Sequence, residues 1–175
     1  HNIEALLGHE NYSYRLQYNY GMKTNEIVSG TYEYSNFVSI SSMDSYTREY
    51  KKEGYFARLN YDFDDKYYVT ASYRRDGSSR FSKDNRWGNF WSFGASWRIS
   101  QEDFMENLTW VDNLKLRASY GETGNDAIYY TDDDTQQDYY PYQTLYNLGI
   151  NNGLEAGLYF PTMANNNLKW ETQVS

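Results

Sequence analysis

The chain has 175 residues, 24 acidic against 16 basic, no cysteine, and a mean hydropathy of −0.92, yet aromatics make up 19% of it, led by 21 tyrosines. Without cysteine there is no disulfide framework and no thiolate metal site. No run approaches the ~18 apolar residues of a spanning helix, and the acidic balance argues against nucleic-acid binding, which needs clustered Lys and Arg.

Residues 2–20 predict a long first strand. Ile3, Ala5 and Leu7 alternate, then Tyr12, Tyr14, Leu16, Tyr18 and Tyr20 alternate in the opposite phase. The switch near Gly8–Asn11 predicts either a bulge or the point where the strand leaves an apolar layer. Residues 21–50, rich in Ser, Asn, Thr and Gly, predict a long loop with its own hairpin around Gly30.

Between Tyr55 and Trp97 two-residue alternation is written three times. One face carries Tyr55, Ala57, Leu59, Tyr61 and Phe63, then Tyr67, Val69, Ala71 and Tyr73, ending on Arg75, then Trp91, Phe93, Ala95, Trp97 and Ile99. The other face carries Phe56, Arg58, Asn60 and Asp62, then Lys66, Tyr68, Thr70, Ser72 and Arg74, then Phe90, Ser92, Gly94, Ser96 and Arg98. Successive strand side chains point to opposite faces, so each segment has one apolar and one wet face. Asp62–Lys66 predicts a tight turn, and 76–86 a turn-rich loop.

Ser100–Glu106 is the one helical candidate, with Ser100 placed to cap and Asp103 three residues on. Leu114, Leu116, Ala118 and Tyr120 form a further strand face opposite Lys115, Arg117 and Ser119. Residues 122–167 predict a long loop that holds both prolines, Pro141 and Pro161, and 168–175 begins a new alternation. The predicted fold is all-β, an antiparallel up-and-down meander. Strand windows of about ten residues with aromatic-rich apolar faces are the signature of an outer-membrane β-barrel. Connections alternate between short and long, which orients the piece, because such barrels have short periplasmic turns and long extracellular loops.

Charge follows the same division. The strand windows 12–20, 55–63, 66–75, 90–99, 114–121 and 168–175 hold nine basic and two acidic residues, and the remainder holds seven basic and 22 acidic. Basic wet faces suit an acidic filler or an anionic substrate, and equally suit ordinary solvation of a water-filled lumen.

Several runs carry a resemblance. They are Tyr55-Phe56-Ala57-Arg58-Leu59-Asn60-Tyr61, Asp65-Lys66-Tyr67, and Arg74-Arg75-Asp76-Gly77-Ser78-Ser79-Arg80-Phe81 with Asn85-Arg86-Trp87-Gly88. Ser96-Trp97-Arg98-Ile99-Ser100 and Leu114 to Asn125 continue the series, with Leu6 to Glu10 upstream and Asn167-Leu168-Lys169-Trp170-Glu171 downstream. In this order and spacing they resemble the barrel of SusC/RagA-type TonB-dependent transporters, over nearly the whole chain.

The resemblance implies a multi-pass barrel of about 22 strands in the bacterial outer membrane, of the plugged-transporter kind. It also implies an N-terminal plug, a SusD-like surface lipoprotein as lid, energy from the TonB complex, and oligosaccharide or peptide cargo. Residues 1–175 would then be a partial barrel domain, lacking plug, TonB box and terminal strands, and a non-enzyme that imports nutrients. The alternative from another class is a soluble β-sandwich that binds carbohydrate, which would also show alternation and surface aromatics.

For the motif Arg74, Arg75, Asp76, Gly77, Ser78, Ser79, Arg80, Phe81, with Arg86 and Trp87, the structural reading is favoured over cargo or lid contact. A family-wide motif fits architecture better than the choice among varied cargoes. Candidate cargo- or lid-contacting residues lie in the 122–167 loop: Tyr129, Tyr130, Tyr139, Tyr140 and Tyr142, whose rings suit sugars and peptides, and Asp132, Asp133 and Asp134. Packing within the loop is the plainer role for the tyrosines. The acidic run, with Asp138, offers hard oxygen ligands for Ca²⁺ but lacks an EF-hand pattern, so no cofactor is expected. No nucleophile, metal site or acid–base pair emerges.

Overall fold

A computed structural model describes residues 1–108, 110–130, 133–152 and 155–175. Its main sheet has six strands in the order β1 (Asn2–Glu26), β2 (Phe37–Phe63), β3 (Tyr67–Ser78), β4 (Trp87–Arg98), β5 (Lys115–Asn125) and β10 (Glu171–Val174). From β2 onward every neighbour pair is antiparallel. Two separate ribbons, β6 (Tyr129–Tyr130) with β7 (Asp133–Gln137) and β8 (Leu145–Asn152) with β9 (Glu155–Thr162), interrupt the path from β5 to β10. By internal contacts the chain divides into two units, 1–12 with 51–175, and 13–50.

Register confirms the two faces. Leu59 pairs Ala71, which pairs Phe93, while Tyr61 pairs Val69, which pairs Ala95, which pairs Ala118. Arg58 pairs Ser72 and then Ser92, and Asn60 pairs Thr70. A slip by one residue would exchange the faces wholesale, and the hydrophobic pattern forbids it. The apolar face lies open. Among the described residues only Tyr50, Phe81 and Phe90 are buried hydrophobics, while Leu59, Val69, Phe93 and Leu116 are exposed. The chain exposes 13506 Å², against about 8,900 Å² expected for a folded soluble monomer of this mass. A soluble sandwich would have covered this face with a second sheet, so that alternative fails.

Aromatic pairs border the open face at both ends. Tyr73 packs on Trp91 at 4.2 Å and Tyr55 near Trp87 at 6.1 Å at one end; Tyr67 stacks on Trp97 at 6.3 Å, beside Phe63, at the other. The pairs stand roughly 20–27 Å apart along the strands, which fits an apolar band ~25 Å tall between two aromatic girdles.

The β2–β3 turn is as tight as expected. Asp64 and Asp65 both take positive φ, 56° and 54°, and Lys66 N–H bonds the Phe63 carbonyl at 3.0 Å. Asp64, Asp65 and Lys66 thus link the last ladder pair, Phe63 and Tyr67, with two residues in the left-handed region that Asp tolerates. The β4–β5 connection leaves from the same end. Its expected helix is replaced by two 3₁₀ turns, Ile99–Gln101 and Asp103–Met105, and Ser100 caps neither. The cause is Glu102, which stays extended between them and is anchored by Tyr67 Oη (2.6 Å), Trp97 Nε1 (2.8 Å) and Lys66 Nζ (3.5 Å). Bonding from Tyr67 first, then Trp97, with the Lys66 charge, holds the Glu102 carboxyl below its ordinary pKa.

Other expectations need correction. Most of 21–50 is strand, and only the turn around Gly30 interrupts it. Tyr18 stacks on Tyr46 at 4.8 Å, Arg15 pairs Glu49 at 3.5 Å, and Asn25 bonds Ser39 at 2.9 Å. Polar pairs of this kind stabilise a ladder but leave no apolar alternation to read. Asn36 fills the turn, accepting from Val28 N–H and donating to the Val28 and Thr31 carbonyls. The first strand runs unbroken through its change of phase. Up to Asn11 its odd positions stay on the apolar side, as His9 packs on Tyr55, and its even positions on the wet side, as Glu4 meets Asn60. The 122–167 loop also carries structure: Gly149 and Gly157, read as loop glycines, face each other across the β8–β9 ribbon.

Candidate functional site

The wet face of the sheet is a continuous polar lining. Asn60 Nδ2 donates to Glu4 at 3.1 Å and Arg58 Nε to Asn60 at 3.3 Å, Ser72 and Ser92 share a hydrogen bond at 2.6 Å, and Lys115 Nζ stands 4.0 Å over the Tyr68 ring. Higher on this face Arg74 bonds both Asp76, at 2.6 Å, and Glu10, at 3.0 Å. Around this cluster opens a recess of about 430 Å³, lined among others by Glu10, Lys52, Arg74, Ser92, Thr123 and Trp170. It offers both signs of charge, hydroxyls and the rings of Phe90, Trp91 and Trp170, a surface suited to a polar oligomer.

Phe56 and Phe90 are the two apolar misfits of the wet face, and strand glycines accommodate them. The Phe56 ring lies where a Cβ on Gly8 would stand, and the Phe90 ring where a Cβ on Gly124 would stand. Phe90 also meets Trp170 edge-on at 5.4 Å. Glycine inside a strand marks such a close approach, and that was the available signal. Lys52, Trp170 and Asp126 were missed, because each acquires its role only through contacts distant in sequence.

The Arg74–Phe81 motif distributes its residues in four directions. Arg74 and Asp76 pair on the wet face. Arg75 points the other way and lies 5.2 Å over the Trp87 ring. Gly77 makes room for that ring, since a Cβ there would sit 3.0 Å from it. Ser78 is fully buried and donates to Asp126 Oδ2 at 2.7 Å; Lys52 meets the same carboxylate at 2.8 Å. Ser79 Oγ accepts from Lys51 N–H, and Ser79 N–H bonds the Lys51 carbonyl. Arg80, buried, donates to the Asp126 carbonyl at 3.0 Å and to Gln137, and covers the Tyr139 ring at 5.4 Å. Phe81, 1% exposed, packs on Trp170, whose indole N–H bonds the Arg86 carbonyl at 2.9 Å. The motif thereby ties the β3–β4 loop to β2, to the end of β5 and to the segment before β10.

Of the residues singled out in 122–167, Tyr129, Tyr139, Tyr140 and Tyr142 have described side chains, each with its own surroundings. Tyr129 is half-exposed at the start of β6. Tyr139 lies under Arg80. Tyr140 N–H is held by Asp138 at 2.9 Å, and Tyr142 Oη accepts from Gln143 at 2.7 Å. Asp132 lies outside the described residues; Asp133 and Asp134 are placed in β7 and Tyr130 in β6 by backbone alone. Among the described residues no group of three or more His, Asp or Glu comes together to hold a metal ion.

The model of the TonB-dependent receptor-like β-barrel matches residues 2–175. Relatives include TonB-dependent receptor P3 of Formosa agariphila, 33% identical over 98% of this chain and 17% of its own, and TonB-dependent receptor SusC of Bacteroides thetaiotaomicron, 40% identical over 67% of this chain and 12% of its own. Among solved structures, the RagAB peptide transporter superposes with a TM-score of 0.84 at 30% identity, over 98% of this chain and 18% of that one. The chain thus spans less than a fifth of the length of these proteins.

Proposed function

The chain belongs to the TonB-dependent receptor β-barrel family, and on that premise we propose that the protein carrying it imports oligosaccharides or peptides across the bacterial outer membrane, under a SusD-like lipoprotein lid and with energy from TonB. The carrying observation is the pair of faces: an apolar face left open between two aromatic girdles, backed by a charged lining with a recess large enough for part of a polar oligomer. The first suits contact with lipid, the second a watery path for cargo. The name of the RagAB transporter supports peptides, and the SusC relative supports a SusC-type assembly. Among the described residues the lining presents ion pairs, hydroxyls and amides, which suit binding and passage.

The test is uptake by cells that lack the full-length transporter, complemented with the wild type or with Arg74→Glu. Loss of uptake of one labelled class, oligosaccharide or peptide, on deletion identifies the cargo. Arg74→Glu, which puts three carboxylates together on the lining, should insert normally and slow uptake. If deletion changes uptake of neither class, the proposal is wrong.

A further inference from the structure

Arg75 is the one motif residue whose side chain serves none of the ties described above. It closes the odd-numbered series Tyr67, Val69, Ala71 and Tyr73 and so stands on the apolar face, paired across the sheet with Tyr55 and Asn89. A charge there is strongly disfavoured at the bilayer midplane and tolerated at the interface. Arg75 lies at the interface, one step beyond the Tyr73–Trp91 pair, at the end of the sheet opposite the tight β2–β3 turn.

Its guanidinium lies over the Trp87 ring, with Tyr55 beside that ring. The Trp87 ring engages the charge, and among the described residues no acceptor is bonded to the N–H groups, which can grip phosphate in bidentate fashion. Among the described residues no carboxylate lies within ion-pair distance of Arg75, whereas its neighbour Arg74 holds two. Other charged groups share this end of the face. Glu53 is the opposing one, but its carboxylate is occupied by Tyr55 Oη at 2.6 Å and His9 at 3.3 Å. Lys51, two positions beyond Glu53, adds positive charge.

We propose that Arg75 on its Trp87–Tyr55 platform is a binding site for the phosphate of an outer-leaflet lipid headgroup. Charge complementarity argues for this occupant: an arginine without a carboxylate, raised to headgroup level on a lipid-facing surface, meets a phosphorylated leaflet. The inference rests on the barrel reading and on the orientation that places the short turns in the periplasm.

The test uses the intact transporter purified in detergent, with lipid binding followed by native mass spectrometry. The probes are lipid A, the same lipid A after dephosphorylation, and inorganic phosphate. Wild type should bind lipid A at least tenfold more tightly than its dephosphorylated form, and Arg75→Gln should lose about that tenfold. Arg75→Lys should retain part of it, because charge remains while the bidentate edge is lost. Equal affinity of wild type for the two lipids, or of Arg75→Gln and wild type for lipid A, overturns the site. Displacement of lipid A by millimolar inorganic phosphate overturns the headgroup assignment. Should Arg75→Gln fail to insert, the wild-type comparison of the two lipids still decides. The barrel reading is checked separately: wild type that does not fractionate with the outer membrane refutes it, whatever the lipids do.

Discussion

Replacing Asp126 by alanine should release the β3–β4 loop. The carboxylate is nearly buried, at 5% exposure, and receives Ser78 Oγ at 2.7 Å and Lys52 Nζ at 2.8 Å. A hydrogen bond to a charged group contributes about 1.5–3 kcal/mol, and losing it here strands the buried Ser78 hydroxyl. Lys52 is 42% exposed, so its share is discounted for solvent screening to below about 1 kcal/mol. The sum is about 3 kcal/mol, or roughly a hundredfold in the local opening equilibrium. Stability is not uniform across a structure, so the readout must be local. Trypsin cleavage after Arg80 or the exposed Lys83 in the intact transporter reports it, because cleavage tracks the open population when reclosing is fast. The expected result is a rise of about a hundredfold for Asp126→Ala and a smaller rise for Asp126→Asn, which keeps an acceptor for Ser78. Unchanged cleavage in Asp126→Ala would show that the carboxylate does not hold the loop.

Gly124→Ala should push the Phe90 ring aside at a cost of about 1–3 kcal/mol, lowering the temperature at which the folded band is lost in gel-shift assays; Phe90→Leu in the same chain should recover part of it. Leu59→Arg, on the apolar face, should cut outer-membrane insertion by the roughly 2–4 kcal/mol of a lipid-facing arginine, while Asn60→Arg, on the lining, should insert as wild type. Glu102 has a lowered pKa, so its contribution is present above the ordinary carboxylate pKa and is lost as pH falls through the lowered value. Amide exchange in 99–106 should accelerate in that acid window for wild type, relative to a Glu102→Gln chain that is already fast above it and shows no such step. Deleting 138–143 should leave membrane insertion intact, since strand pairing in the main sheet is untouched, and should weaken cargo uptake; loss of insertion would make that segment structural.

Two-residue alternation sufficed for the strands between Tyr55 and Tyr120 and for their facing, while their register came from the structure. The apolar and polar sets on these strands are so unequal that a one-residue slip would exchange them, and Asp64–Asp65 suits a tight hairpin. Even the paradox of an open apolar face was legible, because Tyr and Trp gather where a bilayer ends rather than where a soluble core begins. Alternation is silent where both faces are wet. The polar ladder of 21–50 and the ribbons of 129–162 therefore looked like loops, since backbone pairing there proceeds without an apolar side to mark it. The helix expected at Ser100 lost to Glu102, whose three partners come from β3, β4 and the β2–β3 turn. The motif was legible as a unit, but its partners Asp126, Trp170 and Lys52 were not: each is an ordinary residue until the sheet brings it beside Ser78, Phe81 or the same carboxylate. Alternation also set the two adjacent arginines on opposite faces, and tertiary structure alone supplied their different partners. The pleat turns Arg74 inward to Glu10 and Asp76 and turns Arg75 outward onto Trp87, because neighbouring residues in a strand must face opposite sides.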